Sequence, residues 1–334
     1  MTETFTGDAA AELAVVERSG FIESRHLGSA VVISDSGEEI IRVGDPEAPI
    51  FPRSSLKPFQ AIASMMAGAD LTEEQVALAM ASHTGTRRHV SVVRSTLASV
   101  GLSESALQCP PDWPIDRESR DELVRSGIEK APVFMNCSGK HAAMLAACVA
   151  SGWPIDSYLD EAHPLQVSIR DLVERFTREK PAATGVDGCG APVHAVSLTG
   201  LASGIARIRQ SNPDSPFPLF KHAARLVSCA LRNPWAVEGP GRAATEIMER
   251  MGLFCKSGAE GVFVAAAPDG TTAAVKVLDG ASRAAALSAL ALLARAGAVS
   301  AADVNAVLAH LDLTVLGRGE PVGQIRVGAG LRKP

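Results

Sequence analysis

The chain has 334 residues, 46% of them hydrophobic and only 4% aromatic, with a formal net charge of −5. Such a chain can bury a large interior built mainly of Ala, Leu, Val and Ile, as one big domain or two intimately packed ones. Its acidic balance, with no basic block, argues against nucleic acid or an anionic membrane as partner and for a small-molecule ligand. Met1-Thr2-Glu3-Thr4-Phe5 carries no apolar leader, and no apolar run reaches the roughly 20 residues of a membrane span, so a cytoplasmic setting is expected. Six cysteines at 109, 137, 148, 189, 229 and 255 show no C-x-x-C spacing. They read as free thiols, available as nucleophiles or ligands.

Residues 13–18, 29–34 and 39–43 are rich in Val and Ile and read as three strands, the last two joined by the turn Asp35-Ser36-Gly37. Pro49 and Pro52 stop the sheet, and Ser54 or Ser55 can cap a helix with Pro58 in its first turn and Phe59, Ile62 and Met66 facing inward. From Thr72 to about residue 179 the pattern is helical, over 73–80, 90–100, 120–126, 142–150 and 165–179, with a proline-stiffened loop at 109–114. Two polar breaks interrupt it. Ala81-Ser82-His83-Thr84-Gly85 ends a well-patterned helix in hydrogen-bonding side chains, a run that plain C-capping by Gly85 also explains. Asn136-Cys137-Ser138-Gly139-Lys140-His141 follows an apolar lead, and burying such groups costs several kcal/mol unless they find partners, so the run points to a site. Gly185-Val186-Asp187-Gly188-Cys189-Gly190 lets backbone approach a neighbour closely. Helices over 197–210, 220–231 and 243–251 lead to strands at 261–267 and 272–278, helices at 281–295 and 302–311, and a last strand at 323–328.

Strands at both chain ends thus bracket a helical middle. The expected fold class is α+β: an antiparallel sheet from residues 12–50 and 252–330, flanked by helices, with 51–251 as an inserted, mostly helical part of a single unit. The substrate crevice is expected between sheet and insertion.

Within this frame the stretch Arg53-Ser54-Ser55-Leu56-Lys57-Pro58 places a hydroxyl and an amine three residues apart at a helix start, on one face. A serine needs a neighbouring base to become a nucleophile, and a lysine serves if burial or a nearby cation lowers its pKa. Far downstream stands Lys256-Ser257-Gly258. Ser-x-x-Lys early with Lys-[Ser/Thr]-Gly late is the motif pair of penicillin-binding proteins and serine β-lactamases. The absence of a Ser-Asp-Asn motif, a single tyrosine, Tyr158, in a loop-like stretch, and the lack of a leader count against a β-lactam or peptidoglycan substrate.

Together with Ser82-His83, the 136–141 and 185–190 runs and Lys256-Ser257-Gly258-Ala259-Glu260-Gly261, these segments resemble the Rhizobium etli-type L-asparaginases over roughly residues 12–330. The resemblance implies a fold like serine β-lactamases and glutaminases, a homodimer, and hydrolysis of L-asparagine to aspartate and ammonia. It implies Ser54 as nucleophile with Lys57 as base, and Ser82 with Lys256 as a second Ser-Lys pair closing the same pocket. Thr84 stays open as an alternative second hydroxyl, and so does which lysine takes the first proton. Backbone N–H groups around Ser54 would be the oxyanion donors. The resemblance further implies zinc held by Cys137, Lys140 and Cys189, with Arg53, His141 and Asp187 joining the cysteines around the substrate. Two alternatives remain: a glutaminase or esterase of the same fold, and a non-catalytic amino-acid-binding protein using the same crevice.

Overall fold

The computed structural model describes residues 3–332, so Met1 and Thr2 of the N-terminal reading lie outside the described residues. Chain order gives strands β1 (Ala11–Arg18), β2 (Phe21–Ile33) and β3 (Glu39–Val43), then helices α1 (Lys57–Met66), α2 (Glu73–Ala79), α3 (Arg87–Ser99), α4 (Arg117–Arg125), α5 (Ser138–Ser151) and α6 (Pro164–Thr177). A hairpin of β4 (Ala183–Val186) and β5 (Pro192–Ala195) precedes α7 (Leu198–Arg209), α8 (Pro218–Arg232), the single turn α9 (Pro234–Val237) and α10 (Ala243–Met251). The chain returns to sheet in β6 (Phe254–Gly258), β7 (Val262–Ala266) and β8 (Thr272–Val277), and ends with α11 (Ala285–Arg295), α12 (Ala301–Leu308), β9 (Thr314–Gly317) and β10 (Glu320–Val327).

The main sheet runs β6-β7-β8-β2-β1-β10-β9, antiparallel throughout, with β3 also on β2. Both ends of the chain build it, as an α+β fold of the expected kind requires. Long β2 is its hub. Its second half uses one edge for β8 and the other for β3, while its first half pairs with β1. That first half alternates exposed and partly covered residues, so it lacks the apolar density that marked residues 29–34. Strands β7 and β8 are buried at every residue, and α7 and α11 both pack on them. Strands whose two faces are both covered lose the polar alternation of a half-exposed sheet. No helix among the described residues is long and apolar enough to cross a membrane.

Helix α1 is the axis of the helical layer. It is buried from Lys57 to Met65 and touches α2, α5, α6 and α8, as an apolar-all-round helix must. Its start departs from the sequence reading. Neither Ser54 nor Ser55 caps it; residues Arg53–Leu56 form a 3₁₀ turn feeding directly into Lys57. Ser55 Oγ donates instead to Lys256 O at 3.2 Å, which ties the turn to β6. Arg53 holds a left-handed backbone, φ +53°, a strained conformation for a residue with a side chain.

Candidate active site

Three chain segments meet where α1, α2 and β6 converge. The polar break after α2 is the middle one. Its backbone is held on two sides: Ser82 N–H donates to Val237 O (2.8 Å), Thr84 N–H to Glu238 O (2.7 Å) and His83 N–H to Asn136 O (3.0 Å). A run that ends a helix without entering a strand must satisfy its backbone this way, and doing so presents Ser82 to the pocket.

Two buried lysines close on that hydroxyl from opposite directions. Lys57 Nζ, at the start of α1, donates to Ser82 Oγ at 2.9 Å, Ala81 O at 2.6 Å and Cys137 Sγ at 3.1 Å. Lys256 Nζ, from the middle of β6, donates to Ser82 Oγ at 3.0 Å and Ser257 O at 2.8 Å. Both lysines are almost fully shielded from solvent, at 1% and 0% exposure. Burial, with Lys57 adding to it and Glu238 opposing it, brings Lys256 down to about 8. Its amine is therefore a proton acceptor in mildly alkaline water.

Ser54 lies on the turn before α1, its carbonyl accepting the Lys57 N–H. In a 3₁₀ turn, positions i and i+3 eclipse, so Ser54 and Lys57 share a face. The three hydrogen bonds of Lys57 nevertheless go to the Ser82 side, and no hydrogen bond of Ser54 Oγ is found among the described residues. Ser54 instead lines a cavity of about 390 Å³ together with Ser82, Asn136, Ser257, Glu238 and Arg242. Of the backbone donors around it, Ser55 N–H is engaged by Pro52 O. Thr84, the other candidate hydroxyl, is buried and its Oγ1 has no partner. Among these side chains Ser82 alone takes both lysines.

The cysteine run adjoins this centre on its far side. Lys140 Nζ donates to Cys189 Sγ at 3.0 Å, while Cys137 Sγ accepts from Lys57 Nζ at 3.1 Å and donates to Asn136 Oδ1 at 3.2 Å. Cys137 and the Lys140 cation hold the Cys189 thiol far below the ordinary range, while Cys189 and burial hold that of Cys137 well above it. Lys140 stays above its ordinary value despite burial because the thiols favour its charge. His141 donates or accepts through Nδ1 at 2.6 Å from the Tyr158 hydroxyl, and its buried Nε2, on the Cys189 side, has no hydrogen-bond partner. Arg53 Nε reaches Asp187 Oδ1 at 2.7 Å, which places both beside Cys189 on the β4–β5 turn.

A zinc ion fits this donor set. Lys140 Nζ meets Cys189 Sγ, the Cys137 thiol and an unpartnered His141 nitrogen belong to the same segment as Lys140, and thiolates suit zinc. Lysine must release its proton to join them. No group of three His, Cys, Asp or Glu side chains placed for a metal occurs among the described residues, so the lysine would have to be the third protein ligand.

Sequence reasoning missed two residues here. Glu238 is buried at 4% exposure, with Oε1 accepting from Ser257 Oγ and standing 3.9 Å from Lys256 Nζ. Its signal was a carboxylate directly after the apolar run Trp235-Ala236-Val237 and before Gly239-Pro240-Gly241. Tyr158, read in a loop-like stretch and given no part in the site, is fully buried, its hydroxyl accepting from Gln108 N and pairing with His141.

A family model described as L-asparaginase II matches residues 14–327. No curated protein matches the chain by sequence. Among solved structures, the native form of Mglu is 13% identical at a TM-score of 0.46, over 90% of this chain and 69% of that one. A Bacillus glutaminase is 12% identical at 0.42, over 82% and 92%. A β-lactamase from Mycobacterium bovis is 16% identical at 0.40, over 84% and 94%. These likenesses are distant, and the family match is the finding that bears weight.

Proposed function

The chain belongs to the L-asparaginase II family, and from that membership we propose that this amidohydrolase cleaves L-asparagine to L-aspartate and ammonia through a serine acyl-enzyme. The single observation that carries the reading is the Lys57–Ser82–Lys256 chain, two buried amines bridged by one hydroxyl at the wall of a cavity that Ser54 also lines.

In this reading Ser54 Oγ attacks the side-chain carboxamide carbon, forming the C–O bond. Its proton passes to the lysine pair, moving from Lys57 through Ser82 Oγ to Lys256, whose lowered pKa lets it receive one. The C–N bond breaks as that proton is returned to the departing nitrogen, which leaves as ammonia. Water then hydrolyses the aspartyl ester by the same route in reverse, restoring the Ser54 hydroxyl. The clustered cations also favour the developing oxyanion and the substrate α-carboxylate. Cys137, Lys140 and Cys189 would hold zinc, which when bound would supply a Lewis-acidic centre beside the pocket for binding and orienting substrate. His141 and Asp187 would steady those ligands and Arg53, a common role beside metal ligands. The reading includes a homodimer in a cytoplasmic setting.

The test is ammonia release. Ser54→Ala should lower kcat with L-asparagine by more than about 10³-fold with the fold intact; full activity in that variant overturns the reading. L-glutamine, one methylene longer, should be disfavoured by about 10 to 200-fold in kcat/KM, and a preference for it or for an ester would move the substrate assignment. Tight asparagine binding without turnover by the intact protein would make it a binding protein. One observation favours a second reading, with Ser82 as the nucleophile: both lysines bond to it and neither to Ser54. Ser82→Ala would then lose the acyl adduct itself, not only its rate of formation.

A further inference from the structure

Glu238 has no role in the chemistry above, yet among the described residues it is the one carboxylate beside the buried lysine pair. Its backbone carbonyl accepts Thr84 N–H and that of Val237 accepts Ser82 N–H, so this segment is bonded along the run that carries Ser82. Its side chain is fixed at both oxygens. Oε2 accepts Ala244 N–H at 3.1 Å, at the first turn of α10, and Oε1 accepts the Ser257 hydroxyl while lying 3.9 Å from Lys256 Nζ. Neither partner is exposed by more than 5% at the side chain.

A buried carboxylate is costly unless it is paired and hydrogen-bonded. Here the fold supplies a helix N-terminus, a hydroxyl and a cation at once. Glu238 also lines the cavity that holds Ser54 and Ser82. Resting on the functional reading above, we propose that Glu238 is a positioning residue which holds Lys256 against Ser82 and sets the pH at which that lysine can accept the serine proton.

The direction follows from which groups face Lys256. Burial and Lys57, from α1, disfavour its charge; Glu238, from the loop after α9, favours it, as do Cys137, before α5, and its strand neighbour Cys255. Removing the Glu238 charge leaves burial and Lys57 less opposed, so Lys256 loses its proton at lower pH. The free-enzyme base appears as the acid limb of kcat/KM against pH.

Glu238→Gln should therefore move that limb down by about one to two pH units, while kcat falls because the amine is no longer held in place. Glu238→Asp, which keeps the charge but withdraws it, should give a limb between wild type and Gln and restore part of kcat. A limb unmoved in folded Glu238→Gln overturns the inference; so does a limb that rises. If the Gln variant does not fold, Glu238→Asp decides on the same criterion, an unmoved limb overturning it. Lys256→Met separates this from the functional reading. If the acid limb vanishes with Lys256 but ignores Glu238, the Glu238 inference fails and the lysine base stands. If the limb and rate survive Lys256→Met, the functional reading has failed.

Discussion

Ser82 Oγ receives hydrogen bonds from two buried lysine amines, each shielded from water. Two amines this close to one another favour the loss of a proton from one of them, and Lys256 is the one brought down to about 8, by burial first and Lys57 next. Around this centre the supporting contacts are equally specific. The Tyr158 hydroxyl sits between His141 Nδ1 (2.6 Å) and Gln108 N (3.1 Å), entirely buried. Tyr158→Phe keeps the ring's packing and strands both partners, so it should cost about 1–3 kcal/mol in urea unfolding; a change below about 0.5 kcal/mol would show that neither partner needs the hydroxyl. Ser82, Lys57, Lys256 and the Cys137–Lys140–Cys189 run were legible as individual residues, through motifs that put chemistry-bearing groups in apolar surroundings. Glu238 was not, because nothing in a lone glutamate before a glycine-proline turn tells that its carboxylate folds back under a lysine on a distant strand.

At the scale of elements, the junction between the 3₁₀ turn at Arg53–Leu56 and strand β6 determines where Ser54 stands relative to Lys256. Ser55 Oγ bonds Lys256 O across it, and Gly258 faces the Pro52 carbonyl with no room for a Cβ. Gly258→Ala must push β6 from the turn, and a shift of about 1 Å in reacting groups can cost about 10²-fold. A loss of that order in kcat/KM is expected, with the cooperative melt retained; activity within about a factor of two of wild type would mean the junction does not set the geometry. Most helices were legible to within a few residues because their apolar faces repeat at helical spacing. The strands missed or shortened have several causes, and buried β6 is among those missed. The first half of β2 alternates exposed and partly covered residues of mixed polarity, β9 is only four residues long, and the β9–β10 hairpin turns through Arg318 and Gly319, both at positive φ. An arginine in a left-handed turn position gives no turn signal. Likewise β4 and β5 hid in a glycine-rich run that reads as a loop, although they form the hairpin whose turn carries Asp187 and Cys189.

For the whole molecule, strands from both chain ends form one sheet and the chain between them forms the helical layer, so residues as distant in sequence as Lys57 and Lys256 share a pocket. This arrangement was legible because the order of element types alone, strands then helices then strands, allows few other closures. The family, too, was legible, since five motifs stand in order along the stretch that the family model matches. What no motif reports is which serine opens the amide, because the pocket places Ser54 on its wall and Ser82 between the lysines. Acid-quenching the protein during turnover of L-asparagine, then weighing the intact chain and its proteolytic peptides, addresses that directly. The account predicts one aspartyl unit on the peptide holding Ser54, absent from Ser54→Ala; turnover with no adduct, or an adduct on Ser82, would contradict it.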